Sequence, residues 1–277
     1  MKKTVLFAAA LFAVSAASAQ TGEITSNRGE NWLSQDGDWG LTFDAAPLLN
    51  YAGNLFNGHQ GNGGVALNNI IASRGAAGIN GNMVVIGGKK LIDANTAYRG
   101  QVRLGFGSHK ETVLVNDVTS TTTPPAQVED VTKNGFMGID LGVGIEKRVG
   151  STRVVGVYGA MFDIGFGSNK TTYEYGNALT ATNPGTRTTE MKGGSTMGLG
   201  LRAFAGVEWF CAPKVSLSGE YTWGVAMSST GHNSTTTESF VNNSVTTTTV
   251  DGGTKVNNFS IDTGVSGASI GVNFYFQ

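Results

Sequence analysis

The chain is poor in residues that would point to disulfides, to nucleic acid or to membrane helices. It has one cysteine, Cys211, among 277 residues, so no disulfide can form within it. Charged residues make up 14% and the formal net charge is −1, which leaves no basic excess for nucleic acid. Beyond the amino terminus, no apolar run approaches the roughly 20 residues of a spanning helix. These absences exclude a disulfide scaffold, a nucleic-acid partner and a helical membrane anchor.

Proline is also scarce, whereas glycine is abundant. The chain has five prolines and 41 glycines. That glycine share is about twice the usual ~7%. Apolar residues alternate with small or polar ones in segments separated by Gly, Asn, Ser and Thr. This pattern predicts an all-β chain.

The amino terminus has the features of an export signal. Lys2 and Lys3 precede a small apolar run over residues 5–17, and Ala17-Ser18-Ala19 matches a small-residue cleavage site. We therefore predict a signal peptide at 1–19, a periplasmic leader at 20–38 and a β domain at 39–277.

Period-two alternation predicts eight strands, of which the second has the least clear pattern. Pro47 lies inside the first strand and has no backbone N–H to donate to a neighbouring strand. We therefore expect a β-bulge there or the end of the strand's pairing. The predicted strands cover residues 39–51, 82–90, 97–113, 136–148, 153–167, 195–210, 215–227 and 259–277.

The connections alternate in length. Short ones cover residues 91–96, 149–152 and 211–214, and long polar ones cover 52–81, 114–135, 168–194 and 228–258. Short turns at one rim and long loops at the other are typical of outer-membrane barrels. The sequence predicts an eight-stranded antiparallel up-and-down transmembrane β-barrel with short periplasmic turns and long extracellular loops.

The charged residues of these strands fall on one face, opposite the apolar face. In a barrel the apolar face contacts lipid, so the charged set faces the lumen. Two interpretations remain open, an ion path with a salt-bridge gate and a plugged polar core. The narrow interior of eight strands and the balance of signs favour the plug. The predicted lumen network is Asp44, Arg99, Arg103, Asp140, Glu146, Asp163, Arg202, Glu208 and Glu220, with Gln101 beside it.

Aromatic residues concentrate at the strand ends, as in two interfacial belts. A soluble β-sandwich would turn them inward and would leave the segregated loops unexplained. On the short-turn side the predicted belt is Trp39, Tyr98, Trp209 and Phe276, and on the long-loop side it is Tyr51, Phe106, Phe136 and Phe166.

The carboxyl-terminal strand and residues 84–107 carry a resemblance to a known family. Ser269, Gly271, Phe274 and Phe276 are similar to the assembly signal of the small eight-stranded outer-membrane barrels, the OmpA/OmpX-like group, although Gln277 follows the last aromatic residue. Residues 84–107 resemble versions of this porin-family group from Bacteroidetes-type Gram-negative bacteria. The resemblance implies insertion by the outer-membrane assembly machinery into a membrane of lipid and lipopolysaccharide.

Catalytic residues are harder to find. Some barrels of this size resemble lipid A-modifying enzymes, and Ser108, His109 and Glu111 stand at the outer rim. Adjacent strand residues point to opposite faces, so Ser108 and His109 cannot meet within the strand. We expect no enzyme, no cofactor and no metal site.

The long loops are rich in Thr, Ser and Asn, and residues 239–250 are expected to extend the barrel wall above the membrane. These loops either recognise an extracellular ligand or are simply solvated. The sequence thus predicts a structural or surface-interaction role. The alternatives are a narrow porin-like channel for ions or small solutes, a lipid-modifying enzyme and a soluble lipocalin-like binder.

Overall fold

The computed structural model describes residues 24–44 and 86–277, which are all-β. No helix in these ranges is long and apolar enough to cross a membrane. The predicted signal peptide, Pro47, Tyr51 and the side chains of Asp44 and Ser269 lie outside the described part of the chain. The described strands are β1 (Trp39–Asp44), β2 (Ile86–Asp93), β3 (Thr96–Asn116), β4 (Gln127–Val149), β5 (Val154–Glu174), β6 (Thr186–Lys192), β7 (Thr196–Ala212), β8 (Val215–Thr230), β9 (Asn233–Val241), β10 (Ser244–Gly252) and β11 (Val256–Phe276).

Eight of these strands pair in a closed antiparallel ring. Its order is β1, β2, β3, β4, β5, β7, β8 and β11, and β11 returns to pair with β1. The prediction of an all-β antiparallel sheet is therefore confirmed. The order follows the chain, with β6, β9 and β10 left outside the ring.

The three remaining strands form an outer lobe beside β5. β6 pairs with β5 through Lys170, Thr171 and Thr172, β9 pairs with β6, and β10 pairs with β9. Residues 239–250 do not form one continuous extension, because Asn242 and Asn243 have φ of 49° and 62° and form a tight turn. Two residues with positive φ are characteristic of a two-residue hairpin turn. The Thr-rich stretch therefore folds back on itself.

Several strands are longer than predicted. β4 begins at Gln127, well before residue 136, and β5 continues to Glu174, beyond residue 167. β2 ends at Asp93 rather than at residue 90. The added residues are largely polar, so they lack the apolar alternation on which the prediction depended, but Thr and Val suit extended backbone.

The two faces of the ring differ in the way the alternation predicts. Along β3, Tyr98, Leu104 and Phe106 are 57%, 63% and 81% exposed on the outer face, whereas Arg99 and Arg103 are each 9% exposed on the inner face. Over residues 98–106 of β3, the ring therefore turns its apolar side chains outward and its ionic side chains inward.

Candidate functional site

Four ionic side chains meet inside the ring near its short turns. Lys89 of β2, Glu146 and Arg148 of β4 and Glu208 of β7 are almost completely buried, and we call them the ion quartet. Glu146 and Arg148 are two residues apart near the end of β4, so both point inward. Lys89 lies in the middle of β2 and Glu208 lies four residues before the end of β7, and both occupy inward positions.

The quartet forms a closed cycle of alternating charge. Lys89 Nζ lies 3.0 Å from Glu146 Oε2 and 3.6 Å from Glu208 Oε2. Arg148 Nη1 lies 2.6 Å from Glu146 Oε1 and 2.9 Å from Glu208 Oε2. Each cation therefore touches both anions. This arrangement offsets the desolvation that makes isolated buried charge unfavourable.

A second pair adjoins the quartet. Arg99 Nη1 lies 3.4 Å from Glu146 Oε2, and Arg99 donates two hydrogen bonds of 3.1 Å to Glu220 Oε2. The guanidinium of Arg99 also lies over the ring of Phe204, with 4.3 Å between Cζ and the ring centroid. The three cations and three anions of this layer balance in charge.

These contacts cross the full width of the ring. β2 and β7, joined by Lys89 and Glu208, are separated by three strands in either direction around the ring. β3 and β8, joined by Arg99 and Glu220, are separated in the same way. β4 and β11 are also separated by three strands in either direction, and Arg148 Nη1 of β4 lies 3.2 Å from the hydroxyl of Tyr275 of β11. Side chains from opposite walls thus meet at the centre of the ring.

Neutral side chains complete this layer. Tyr275 donates a hydrogen bond of 2.6 Å to Glu208 Oε1, and the Ser216 hydroxyl donates to the same oxygen. Asn273 Nδ2 donates to Ser216 Oγ at 3.1 Å, and Thr42 Oγ1 donates to Asn273 Oδ1 at 2.7 Å. The chain of hydrogen bonds connects β1, β11, β8 and β7, and it fixes the orientation of the Glu208 carboxylate.

An apolar layer closes the short-turn end below the charges. Leu33 of the segment before β1 packs among the ends of the strands. Asp38 forms an ion pair with Lys214, and the backbone N–H of Leu91 donates to the Asp38 carbonyl at 2.9 Å. The guanidinium of Arg153 lies over the ring of Trp32. The buried side chains around Leu33 are Leu91, Ala97, Val155, Val157, Phe210 and Tyr275.

Further polar contacts lie toward the long-loop side. Arg202 contacts Asp163 through two hydrogen bonds, of 2.7 Å from Nε and 3.1 Å from Nη2, and Gln101 Nε2 donates to Asp163 Oδ1 at 2.7 Å. Arg103 Nη1 lies 4.0 Å from Asp140 Oδ2. Oppositely charged members of the predicted network therefore lie beside one another within the ring.

The predicted lumen network left out two charged members of the central layer, Lys89 and Arg148. Gly87 and Gly88 obscured the inward direction of Lys89, which pairs with the inward Arg99 across β2 and β3. Arg148 has the same parity as Glu146, so extending that alternation by one step would have found it. The alternation of the carboxyl-terminal strand places Tyr275 on the same face as Asn273, and the structure buries both side chains inside the ring.

Most described aromatic residues of the predicted belts are exposed on the outer face. Phe136 differs. It pairs with Gly107, whereas its neighbour Met137 pairs with the outward Phe106, so Phe136 lies on the inner face. A Cβ placed on Gly107 would lie 2.8 Å from the Phe136 ring, so the ring covers this glycine. The exposed residues are Trp39, Tyr98, Phe106, Phe166, Trp209 and Phe276.

The carboxyl-terminal strand alternates as far as it is described. Ile270, Phe274 and Phe276 are exposed, whereas Asn273 and Tyr275 are buried. Gly271 pairs with Asp44 of β1, and a Cβ there would lie 2.9 Å from Ser218 Oγ. A glycine at this position of the predicted assembly signal therefore leaves room for the serine of β8.

Ser108 and His109 are consecutive residues of a regular strand, paired with Gly135 and Asn134 of β4 respectively. Their side chains therefore lie on opposite faces of β3. Catalysis by these two residues together would need a different backbone, because a nucleophile and its base must lie within hydrogen-bond reach.

No protein-family model and no curated protein matches the chain. Among solved structures, the chain is similar to the crystal structure of a major outer membrane protein from Thermus thermophilus. The sequence identity is 13%, the TM-score is 0.21, and the match covers 72% of this chain and 95% of that one. A likeness at this TM-score carries no argument about fold or function, so the interpretation below depends on the geometry of the ring.

Proposed function

We propose that this protein is an outer-membrane β-barrel whose interior is sealed and whose role is structural or surface-interacting. The observation that carries the proposal is the inverted distribution of side chains. Glu146 and Glu208 have no exposed surface, whereas Leu104 is 63% exposed and Phe106 is 81% exposed. A soluble domain places such groups the other way round.

A lipid surround explains this inversion. Backbone N–H and C=O groups within hydrocarbon must all be paired, and a closed ring of strands meets that condition. The outer face is apolar from Tyr98 to Phe106 on β3 and from Val154 to Phe166 on β5. Nine to thirteen tilted residues match the roughly 25 Å apolar band of outer-membrane barrels.

Contacts between opposite strands support a sealed interior rather than a channel. An eight-stranded interior is only wide enough for side chains. Here Lys89 reaches Glu208, and Arg99 reaches Glu220, across the whole ring. The apolar layer around Leu33 closes the same end. We therefore favour the plugged core over the narrow porin-like channel.

The outer lobe supports a role at the cell surface. In β10, the residues from Ser244 to Asp251 are all exposed, and β9 and β10 lie beyond the apolar band. Such a projecting hairpin is available to an extracellular ligand.

Planar-bilayer recording on the purified full chain tests the sealed interior. We expect no steady conductance from the wild-type protein. A stable open-channel current that changes in Glu208→Gln would favour the channel instead. Vesicle flotation tests the membrane assignment, since the protein should float with vesicles and migrate differently on gels before and after boiling. A detergent-free soluble monomer would contradict the barrel. An altered lipid A mass on expression would favour the lipid-modifying enzyme.

A further inference from the structure

Four lysines lie side by side on the outer face of β3, β4, β5 and β6. Lys110 pairs directly with Lys133, and Lys170 pairs directly with Lys192. Gly135, two residues from Lys133, pairs with Lys170, so the two lysine pairs adjoin. We call these four residues the lysine patch. Its described side chains are solvated, with Lys133, Lys170 and Lys192 being 43%, 48% and 54% exposed.

The patch lies just above the apolar band. On β3 the last exposed aromatic residue is Phe106, and on β5 it is Phe166. Lys110 and Lys170 each follow four residues later, on the same face of their strands. Four residues span about 13 Å of strand, and less in height because barrel strands tilt. This is the level of lipid headgroups when the apolar band lies in hydrocarbon.

The charges of the patch do not balance within it. Like charges directly opposite each other in a sheet are destabilising. Glu174 contacts Lys133, and Glu190 contacts both Lys170 and Lys192. Four cations therefore face two carboxylates. The next outward carboxylate of β4 is Glu129, which pairs with Leu114 further from the band. An anionic partner would relieve the excess positive charge.

The lysines are concentrated on one side of the ring. On the other side, Ser229 of β8 pairs with Asn257 of β11 and with Met197, which pairs with Phe166 at the top of the apolar band. Beyond Asn257 on that side lies a single lysine, Lys255, two residues away along the chain. Four adjoining lysines on one side and one on the other point to a localised partner.

We propose that the lysine patch binds the phosphate groups of an outer-leaflet glycolipid of the lipid A type. This inference rests on the proposed membrane location. Lysine is a good point-charge partner for phosphate. Directly below the patch, Phe106, Met137 and Phe166 offer exposed apolar surface for acyl chains. Phosphate above and hydrocarbon below match an amphipathic lipid better than a free anion.

The test uses the full chain in phosphatidylcholine vesicles that contain either bis-phosphorylated lipid A or its dephosphorylated form. Native mass spectrometry after mild detergent extraction counts the lipid A retained per protein. Because each lysine near an anionic surface strengthens the attraction several-fold, we expect at least about tenfold preference for the phosphorylated form. The quadruple variant K110Q, K133Q, K170Q and K192Q should lose this preference. Lys255→Gln, on the other side of the ring, should keep it.

Two further variants keep the test decisive if the quadruple variant misfolds. The double variant E174Q and E190Q raises the net positive charge and should retain more phosphorylated lipid A. The four-fold Lys→Arg variant should retain as much as the wild type. Unchanged retention in the E174Q and E190Q variant, or equal retention of both lipids by the wild type, would overturn the inference.

Competition and flotation separate the remaining possibilities. Excess inorganic phosphate should not displace the lipid, and displacement would mean a free-anion site instead. Failure of the wild type to float with vesicles would overturn the membrane assignment itself. Flotation without any lipid preference would overturn the lysine patch alone.

Discussion

The short-turn end of the ring and the outer lobe use the same antiparallel pairing but place their side chains differently. At the short-turn end the inward residues are buried, and Glu146 and Glu208 have no exposed surface. In β10 of the lobe, the alternating residues of Ser244 to Asp251 are exposed on both faces. Closure of the sheet produces this difference, because only a closed ring has an interior. In this protein, alternation along a strand therefore separates buried from exposed side chains in the ring but not in β10.

The same contrast applies to ion pairs. Arg148 and Glu208 meet in the ring with no more than 1% of either side chain exposed. Arg187 and Glu238 meet in the lobe at a similar distance, but 20% and 21% of their side chains remain exposed. Water screens the second pair and can solvate either charge if its partner is removed. The buried first pair has no water to solvate a charge that loses its partner.

Glu208→Gln should therefore have the largest effect. Removing this charge leaves Lys89 and Arg148 with one carboxylate fewer in a buried site, and such losses cost about 3–5 kcal/mol. The matched change Glu238→Gln in the lobe should cost about 0–1 kcal/mol. Guanidinium unfolding in lipid or detergent, followed by tryptophan fluorescence, measures both. Equal losses would contradict the distinction between the two regions.

Leu141→Arg tests the outer face of the closed region. The side chain of Leu141 is exposed in the middle of the apolar band, where arginine costs roughly 2–4 kcal/mol in lipid. Gly138→Ser is the matched change on the inner face, since a Cβ there meets nothing within 4 Å. Gly142 is a poorer control, because a Cβ there would lie 2.5 Å from Cγ of Gln101. Folding yield into vesicles should fall for Leu141→Arg and remain near wild type for Gly138→Ser. Similar yields for both would contradict the assignment of faces.

Substitutions in the turn between β9 and β10 should affect the outer lobe and leave the ring unchanged. Asn242 and Asn243 have positive φ, a conformation that costs other L-residues roughly 1–2 kcal/mol each. Replacing both by alanine should speed amide hydrogen exchange in β9 and β10. Replacing both by glycine should not, and the heat-dependent gel shift of the ring should persist in each variant. Loss of that gel shift would mean that the lobe and the ring fold as one unit.

The smallest expected effect is a dependence on pH in the lobe. Hydrogen bonds from Lys170 and then Lys192 hold the pKa of Glu190 below its ordinary value. A carboxyl group whose pKa is lower in the folded chain than in the unfolded chain stabilises the fold at pH values above its pKa in the unfolded chain. This contribution is lost as the pH falls through its pKa in the folded chain. Amides of β6 should therefore exchange faster in acid, after correction for intrinsic rates, and Glu190→Gln should flatten this dependence. The same profile in Glu190→Gln as in the wild type would show that another group titrates.

Sequence reasoning succeeded where the pattern is local. The apolar alternation of Tyr98, Val102, Leu104 and Phe106 placed the outer face of β3, and the short turns marked one rim of the ring. It failed where the alternation lacks hydrophobic contrast. Gly87 and Gly88 concealed the inward direction of Lys89, and the threonines of residues 246–249 gave no sign of the turn at Asn242.

By itself, the sequence determined which residues share a face, because side chains along any extended strand alternate with a period of two. Only the tertiary structure decided which charges meet. Lys89 and Glu208 lie on strands at opposite points of the ring, so their 3.6 Å contact depends on the number of strands and their register. Those two quantities arise from pairings between distant segments, and no local pattern in the chain specifies them.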